Sequence, residues 1–531
     1  VVYLNEHYIK DNATLNNKEY SYKTVDPSKP DTIPKFVDEL PIPPKAMAMR
    51  KDGENLYYEI IMKQGKHYFH KLFPPTTIWG YDGIYPGPSF EVLRDQTIYV
   101  RWINSLPLKH MLPVDRTIHG AMDTPEVRSV VHLHGANVEP DSDGSPDAWY
   151  TRNYGLTGKK FNNKVYKYTN NQQGTTLWYH DHSLGSTRLN VYAGLAGFYF
   201  IRDFLEERLN LPKGEYEVPL MIQDKSFNKD GSLFYPDKPP FPVTVKPSIV
   251  PAFIGNTIVV NGKVWPHLKV EPRKYRFRIL NASNTRGYTL SLSNGQEFIE
   301  IGTDGGLLNK PVNIKSMSLE PAERIDLIID FSKNKGQSIT LMNADNNPNM
   351  RTIMEFRVVL PLKFRDTSEV PKELYPETHL DEALASETRD LTLSASTDHY
   401  GRPMLLLNNR MWDDPVTEKP IQGSIEIWNI INLTAFPHPI HIHLVQFKIL
   451  YRRPFNVQKY LNEGKLEYTG EAKEPFEYER GWKDTVKADP GMVTSLIMQF
   501  KDHHGDFVWH CHILEHEDHD MMRPLKVIKE T

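Results

Sequence analysis

"HCHILEHEDHDMM", residues 510–522, contains the single cysteine of a 531-residue chain, Cys511, set between His510 and His512. His516 follows Cys511 by five residues and Met521 by ten. The preceding run, "FVWHCHI", is apolar and β-prone. In a strand, residues i and i+2 share a face while i+1 takes the other. His510 and His512 are therefore predicted to point one way and Cys511 the other. One short strand then presents ligand-type side chains to two sites, back to back and joined by a few covalent bonds.

Outward from that strand, the H-x-H pattern recurs. Ten of the 21 histidines fall into four groups: "HLHG" (His132, His134), "HDH" (His180, His182), "HPIHIH" (His438, His441, His443) and "HCHILEH" (His510, His512, His516). Each group carries an H-x-H pair in an apolar, strand-like run, so eight imidazoles are expected in four same-face pairs. Crowded imidazoles without a metal repel once protonated and leave buried nitrogens unpaired. Convergence on metal ions removes both problems, neutral imidazole being a favoured ligand of copper, zinc and iron. On the other face, Cys511, His516 and Met521 with one more histidine make the ligand set of a blue-copper centre, trigonal His₂Cys with a weak axial Met. His438 is the natural fourth member, because Pro439 breaks its register from His441 and His443. Met522 rivals Met521 for the axial place; the +10 spacing favours Met521. Zinc has no redox chemistry, so a cysteine tied directly to a histidine cluster points to copper and electron transfer.

The rest of the chain sets bounds on this reading. Hydrophobic residues make up 39% and charged residues 24%, as in an ordinary globular protein. Forty prolines and 31 glycines supply turns for many short strands. A net charge of −4 with no long basic run gives no sign of nucleic acid or an anionic membrane as partner. No apolar stretch is long enough for a transmembrane helix. One cysteine excludes an intrachain disulfide. The opening "VVYLNEHYIKDNATLNNKEY" lacks the charged-then-apolar pattern of a signal peptide and begins without Met, consistent with a leader having been removed.

A phrase recurs three times: "YDGIYPGPSFEVLRDQTIYVRWIN" ending at Asn104, "VNGKVWPHLKVEPRKYRFRILN" ending at Asn281, and the looser "LNNRMWDDPVTEKPIQGSIEIWNIIN" ending at Asn432. Each has a turn, an aromatic, a proline and an alternating strand closing on Asn. The alternation in "YRFRI" and "IEIWNI" predicts strands with one buried face. Spacings of 177 and 151 residues are too long for solenoid units and indicate three related all-β domains. Residues 1–35 are expected to be a polar extension, followed by domains over 36–203, 215–362 and 385–531. The connecting stretches are 203–216, a candidate short helix, and the charged, proline-rich 361–388. No histidine group falls in the middle domain.

These residues resemble the multicopper oxidase family. "TTIWGYDGIYPGP", "NQQGTTLWYHDH", "STRLNVYAG", "VVNGKVWP", "PRKYRFRILNASNTR", "HPIHIHLVQF" and "HCHILEHEDHDMM" closely resemble the bacterial spore-coat laccases of the CotA type, from about residue 35 to the C-terminus. The resemblance implies three cupredoxin-like β-sandwich domains. It also implies four copper ions: one blue (type 1) ion in the third domain, and one type 2 ion with a type 3 pair between the first and third. Carried over by position, it assigns His438, Cys511, His516 and axial Met521 to the blue copper. His132 and His441 fall to the type 2 ion, and His134, His180, His182, His443, His510 and His512 to the pair.

The implied activity is one-electron oxidation of a small-molecule donor coupled to four-electron reduction of O₂ to water. Phenols, aromatic amines and bilirubin-like pigments fit as donors. Oxidation of a metal ion, Cu(I) or Mn(II), is an alternative, and the scattered methionines weigh against a dedicated Cu(I) site. A copper-stabilised structural spore-coat protein is another. The resemblance places the protein in a spore coat, with coat proteins as partners, or outside the cell. Glu517 and Asp143 match acidic positions of the resembled laccases and are candidate proton donors or relays. Glu517 can equally orient an imidazole, and Asp143, in "PDSDGSPD", can be a turn residue. His519 is expected to be a solvated loop histidine, and "GTDGG" (302–306) a tight turn.

Overall fold

The computed structural model describes residues 25–529, so 1–24 of the expected extension lie outside the described residues. Within 25–35 the chain packs onto the body: Ile33 is buried in the main apolar core, and Lys35 Nζ donates to Thr352 Oγ1 (3.0 Å).

Named strands pair within three stretches of chain, two sheets in each. The first stretch has a five-stranded sheet built on Asn55–His67 and Ile98–Asn104, and a four-stranded sheet ordered Gly87–Leu93, Ala196–Arg202, Thr175–Asp181, Val131–His134. The second has eight-stranded and five-stranded sheets centred on Lys274–Asn281 and Ser338–Asn343. The third has a five-stranded sheet around Ile425–Asn432 and a four-stranded sheet ordered Thr485–Ala488, His438–Ile442, Gly505–Cys511, Met522–Val527. Aromatic side chains interdigitate between the sheets of each pair: Trp102 against Tyr179 (5.2 Å between centroids), Phe277 against Phe356 (5.0 Å), Trp428 against Trp509 (5.5 Å). Such contacts fill the core of a β-sandwich. The chain is all-β, as the sequence predicts.

The recurring phrase has a structural basis. Its closing strands, Ile98–Asn104, Lys274–Asn281 and Ile425–Asn432, each run parallel to an earlier long strand, with Asn104 opposite Met62, Asn281 opposite Ile222 and Asn432 opposite Leu393. Each final Asn is fully buried. Its Oδ1 accepts from the backbone N–H two residues on, at 3.0, 3.0 and 2.9 Å, and its Nδ2 donates to a backbone carbonyl. An Asx turn thus ends the strand while satisfying the side-chain amide.

The one-faced reading of "YRFRI" is corrected. Arg276 and Arg278 are 3% and 2% exposed, because their outer face meets carboxylates rather than water. Arg276 Nη1 and Arg278 Nη2 both donate to Glu206 Oε1 at 2.7 Å, and Arg276 Nε donates to Asp326 at 2.9 Å. Glu206 belongs to the short helix Phe204–Glu207, inside the expected connecting stretch. Charged residues at alternate positions look solvent-facing in sequence; paired burial reverses that.

Candidate metal centres

Strand Val131–His134 pairs antiparallel with Thr175–Asp181, placing His132 opposite His180. Strand His438–Ile442 pairs antiparallel with Gly505–Cys511, placing Ile440 opposite Cys511 and His441 opposite His510. His182, His443 and His512 each fall one residue beyond their strand's end. The two strand pairs, from the first and last stretches of the chain, face each other. The His132 ring stacks on His443 with centroids 3.8 Å apart, and His134 on His441 at 3.6 Å. Three buried groups result, each with ligand atoms within 4.8 Å of one another: His132–His134–His441, His134–His180–His512 and His182–His443–His510.

These rings fit metal ions. Backbone carbonyls hold them from behind: His132 Nδ1 to Asp143 O (2.6 Å), His180 Nδ1 to Asp181 O (2.7 Å), His441 Nδ1 to Asp484 O (2.8 Å) and His510 Nδ1 to Cys511 O (2.9 Å). A nitrogen facing a carbonyl carries the proton, leaving the opposite nitrogen's lone pair free for a metal. The Nε2 atoms of His132, His180 and His441 are buried and have no hydrogen-bond partner. His134 is reversed: Nε2 meets Asp484 Oδ1 (3.0 Å), and Nδ1 is unpartnered. Buried unpaired nitrogens are costly unless a cation takes them. Burial, reinforced by neighbouring rings, holds His132, His134, His182, His443 and His512 well below the ordinary histidine range. Burial likewise brings His180 and His441 to about 3. Neutral imidazoles are the form that binds metal.

On the other face of strand Gly505–Cys511, Cys511 Sγ lies 3.6 Å from both His438 Nδ1 and His516 Nδ1. Two ligands about 2.0–2.3 Å from a common centre in a trigonal plane lie roughly 3.5–4 Å apart, so this spacing suits one metal ion. Thr434 Oγ1 holds His438 Nε2 at 2.8 Å. Burial pushes the Cys511 thiol up, so a thiolate here requires a bound cation. Met521 is buried in the same apolar cluster as Cys511, whereas Met522 packs with Leu184, Trp412 and Val508. Of the three polar residues in this group, only His516 is partly exposed.

Both candidate acids lie at the histidine cluster. Asp143 Oδ2 shares a 2.7 Å hydrogen bond with His443 Nδ1, and burial raises its carboxyl to about 8. Glu517 is buried with Oε1 3.2 Å from His182 Nδ1 and Oε2 3.1 Å from His510 Nδ1. Neither contact has hydrogen-bond geometry, so both oxygens remain unpartnered among the rings. The expectation for His519 is corrected: it is 7% exposed, with Nε2 3.1 Å from Asp398 Oδ2. Asp398 arrives from a distant turn, which local sequence does not reveal. Asp484, which orients cluster histidines, and Thr434, which holds His438 of the Cys511 group, are hidden in the sequence for the same reason: neither sits in a histidine group nor has a spacing that marks it.

Comparison with known proteins decides the family. Models described as multicopper oxidase match residues 124–205, 238–358 and 383–531. A laccase of Bacillus subtilis is 52% identical over 93% of this chain and 99% of its own length. A laccase of Bacillus stratosphericus is likewise 52% identical, over 94% of this chain and 100% of its own length. A crystal structure of laccase from Pediococcus acidilactici superposes with a TM-score of 0.75 at 26% identity, covering 93% of this chain and 94% of that one.

The chain belongs to the multicopper oxidase family.

This multicopper oxidase is an oxidoreductase with four coppers, and its histidine groups and Cys511 group fit copper sites. Its reaction partners are O₂ and a small-molecule donor. No helix among the described residues is long and apolar enough to cross a membrane.

Proposed function

We propose that this multicopper oxidase is a laccase whose donors are phenols, aromatic amines or bilirubin-like pigments. His438, Cys511 and His516 would hold the blue copper with Met521 axial. His132 and His441 would hold the type 2 copper, and His134, His180, His182, His443, His510 and His512 the type 3 pair. Bound copper supplies the one-electron redox chemistry that links donor oxidation to reduction of O₂ to water. The observation that carries the reading is the position of Cys511. Its thiol belongs to one metal group, while the adjoining His510 and His512 belong to two others, so the peptide itself bridges the sites.

The remaining residues complete the assignment. His516, partly exposed, is the ligand a donor can approach. Glu517, with both carboxylate oxygens free among the rings, is placed to deliver protons to O₂ at the cluster. Asp143 orients His443 and, with its raised affinity for a proton, can relay one. The closed pairing of strands within three stretches supports domains over 36–203, 215–362 and 385–531. Likeness to spore-coat laccases supports a place in a spore coat, in contact with coat proteins, or outside the cell.

The test is a visible spectrum of the copper-loaded protein beside Cys511→Ser, with O₂ uptake followed on a phenolic donor. An intense blue band and O₂ uptake, both lost in the variant, support the reading. A colourless, fully copper-loaded protein would sink it and leave copper a structural role.

One observation favours metal-ion oxidation as a second reading. The fold gathers three of the scattered methionines, Met122, Met404 and Met411, around a cavity of about 350 Å³ that His119 and His519 also line. Thioethers suit Cu(I). Faster O₂ uptake with Cu(I) than with a phenol, lost in Met411→Leu, would establish it.

A further inference from the structure

The middle stretch supplies no member of any metal group among the described residues, yet it reaches the histidine cluster through one side chain. Arg324 opens strand Arg324–Asp330 and is 2% exposed. Its Nη1 donates to Asp484 Oδ1 at 2.7 Å and its Nη2 to Asp484 Oδ2, a two-pronged pairing. Asp484, wholly buried, then holds two stacked rings of the cluster: His134 Nε2 through its Oδ1 (3.0 Å) and His441 Nδ1 through its backbone carbonyl (2.8 Å).

Two further features show that this junction is built. Arg324 Nε donates to Thr176 O in the first stretch (2.9 Å), so one guanidinium joins all three parts of the chain. Asp304, in the tight turn of 302–306, accepts from Arg324 N–H (2.8 Å) and from Lys483 Nζ (3.0 Å), tethering the segment that carries Asp484. Gly135, next to His134, supplies an independent sign. It has φ +88°, and a Cβ there would lie 2.5 Å from Asp484 Oδ2 and 2.8 Å from Arg324 Nη2. The glycine of "HLHG" is thus the residue that lets the ion pair close over the cluster.

We infer that Arg324 and Asp484 are positioning residues through which the ligand-free middle stretch fixes the orientation of His134 and His441, and thereby copper retention by the eight-histidine cluster. This rests on the copper assignment of those two histidines. A carboxylate on the rear nitrogen fixes both the tautomer and the ring's aim. A guanidinium fork fixes the carboxylate in turn, which the point charge of a lysine does not. Left without Arg324, Asp484 would be an unpaired buried charge beside the rings.

The experiment compares the full copper-loaded chain with Arg324→Lys, Asp484→Asn and Gly135→Ala. Arg276→Lys serves as comparator, because it weakens a buried ion network that touches no metal group. Copper per chain, the blue band, the electron paramagnetic resonance of the cluster and Tm are measured during titration with a chelator. The first three variants should lose cluster copper at chelator concentrations about 10- to 100-fold lower than the parent, with the blue band intact. Arg276→Lys should lower Tm and leave copper release unchanged. Parent-like copper retention and resonance in folded Arg324→Lys and Asp484→Asn would overturn the proposal, leaving the pair as a link between domains. Loss of the blue band together with cluster copper, tracking Tm in all four variants, would also overturn it. A parent chain without a blue band would instead overturn the copper assignment itself.

Discussion

The Cys511 group and the eight-histidine cluster share a strand but are assembled differently. Cys511, His516 and Met521 lie within eleven residues, and His438 comes from the neighbouring strand of the same sheet, where Ile440 faces Cys511. One sandwich contains the whole group. The histidine cluster instead takes His132, His134, His180 and His182 from one sandwich and His441, His443, His510 and His512 from another, with rings stacking across the boundary. The first group depends on one strand pair within a sheet and a turn, the second on how separate sandwiches dock. The two should therefore fail separately when different contacts are cut.

The largest effect is expected where both depend on one residue. Cys511→Ser should abolish the blue band and reduce O₂ uptake to background while the cluster histidines still bind copper, as counted by metal analysis. Retained uptake would show that the two groups do not work in series. Next comes Glu517→Gln, which keeps the shape but removes the carboxyl group. Turnover should fall about 10²- to 10⁴-fold, with copper number and blue band unchanged. A normal rate would leave Glu517 without a part in proton delivery.

Ile440→Ala sharpens the comparison from the packing side. Ile440 is fully buried in the core that surrounds Cys511, so the cavity should cost about 2–5 kcal/mol, read as a lower denaturation midpoint. Perturbation should centre on the blue band and spare the cluster's resonance. Equal perturbation of both would mean that the two groups are not independent.

The smallest effect concerns a link between stretches near Met521. His119 Nδ1 bonds Asp520 Oδ1 (2.9 Å) and Nε2 bonds Asp413 Oδ2 (2.7 Å), chiefly the first of which raises His119 to about 9. Because the folded value lies above the unfolded one, the stabilisation is complete below about 6.5 and is lost as pH rises through about 9. His119→Asn should lower Tm at about pH 6 and hardly at all at about pH 10. A pH-independent difference would mean that the hydrogen bonds, not the charge, matter. Asp520, at φ +72°, adopts the left-handed region just before Met521, and Trp412 N–H also donates to its Oδ1 (2.9 Å). The turn carrying Met521 is therefore held from outside itself.

The legible features were those with a local period. H-x-H spacing indicated which imidazoles share a face, and single-residue alternation put Cys511 opposite them. The three strand-closing asparagines marked a repeat because an Asx turn needs only its own i+2 neighbour. The illegible features were those in which a charged residue's environment comes from elsewhere in the chain. Arg276 and Arg278 looked solvated until Glu206 and Asp326 met them. His519 looked like a loop histidine until Asp398 buried it.

Sequence by itself determined the residue types, their strand periodicity and the back-to-back arrangement around Cys511, because side-chain direction in a strand follows from backbone geometry two residues at a time. Only the tertiary structure decided that His134 presents Nδ1 where its neighbours present Nε2, that Asp484 stands behind it, and that Arg324 of a ligand-free stretch stands behind Asp484. Those relations span 350 and 160 residues. No local rule carries a contact that far; it exists only when separately folded sheets bring their buried charges together.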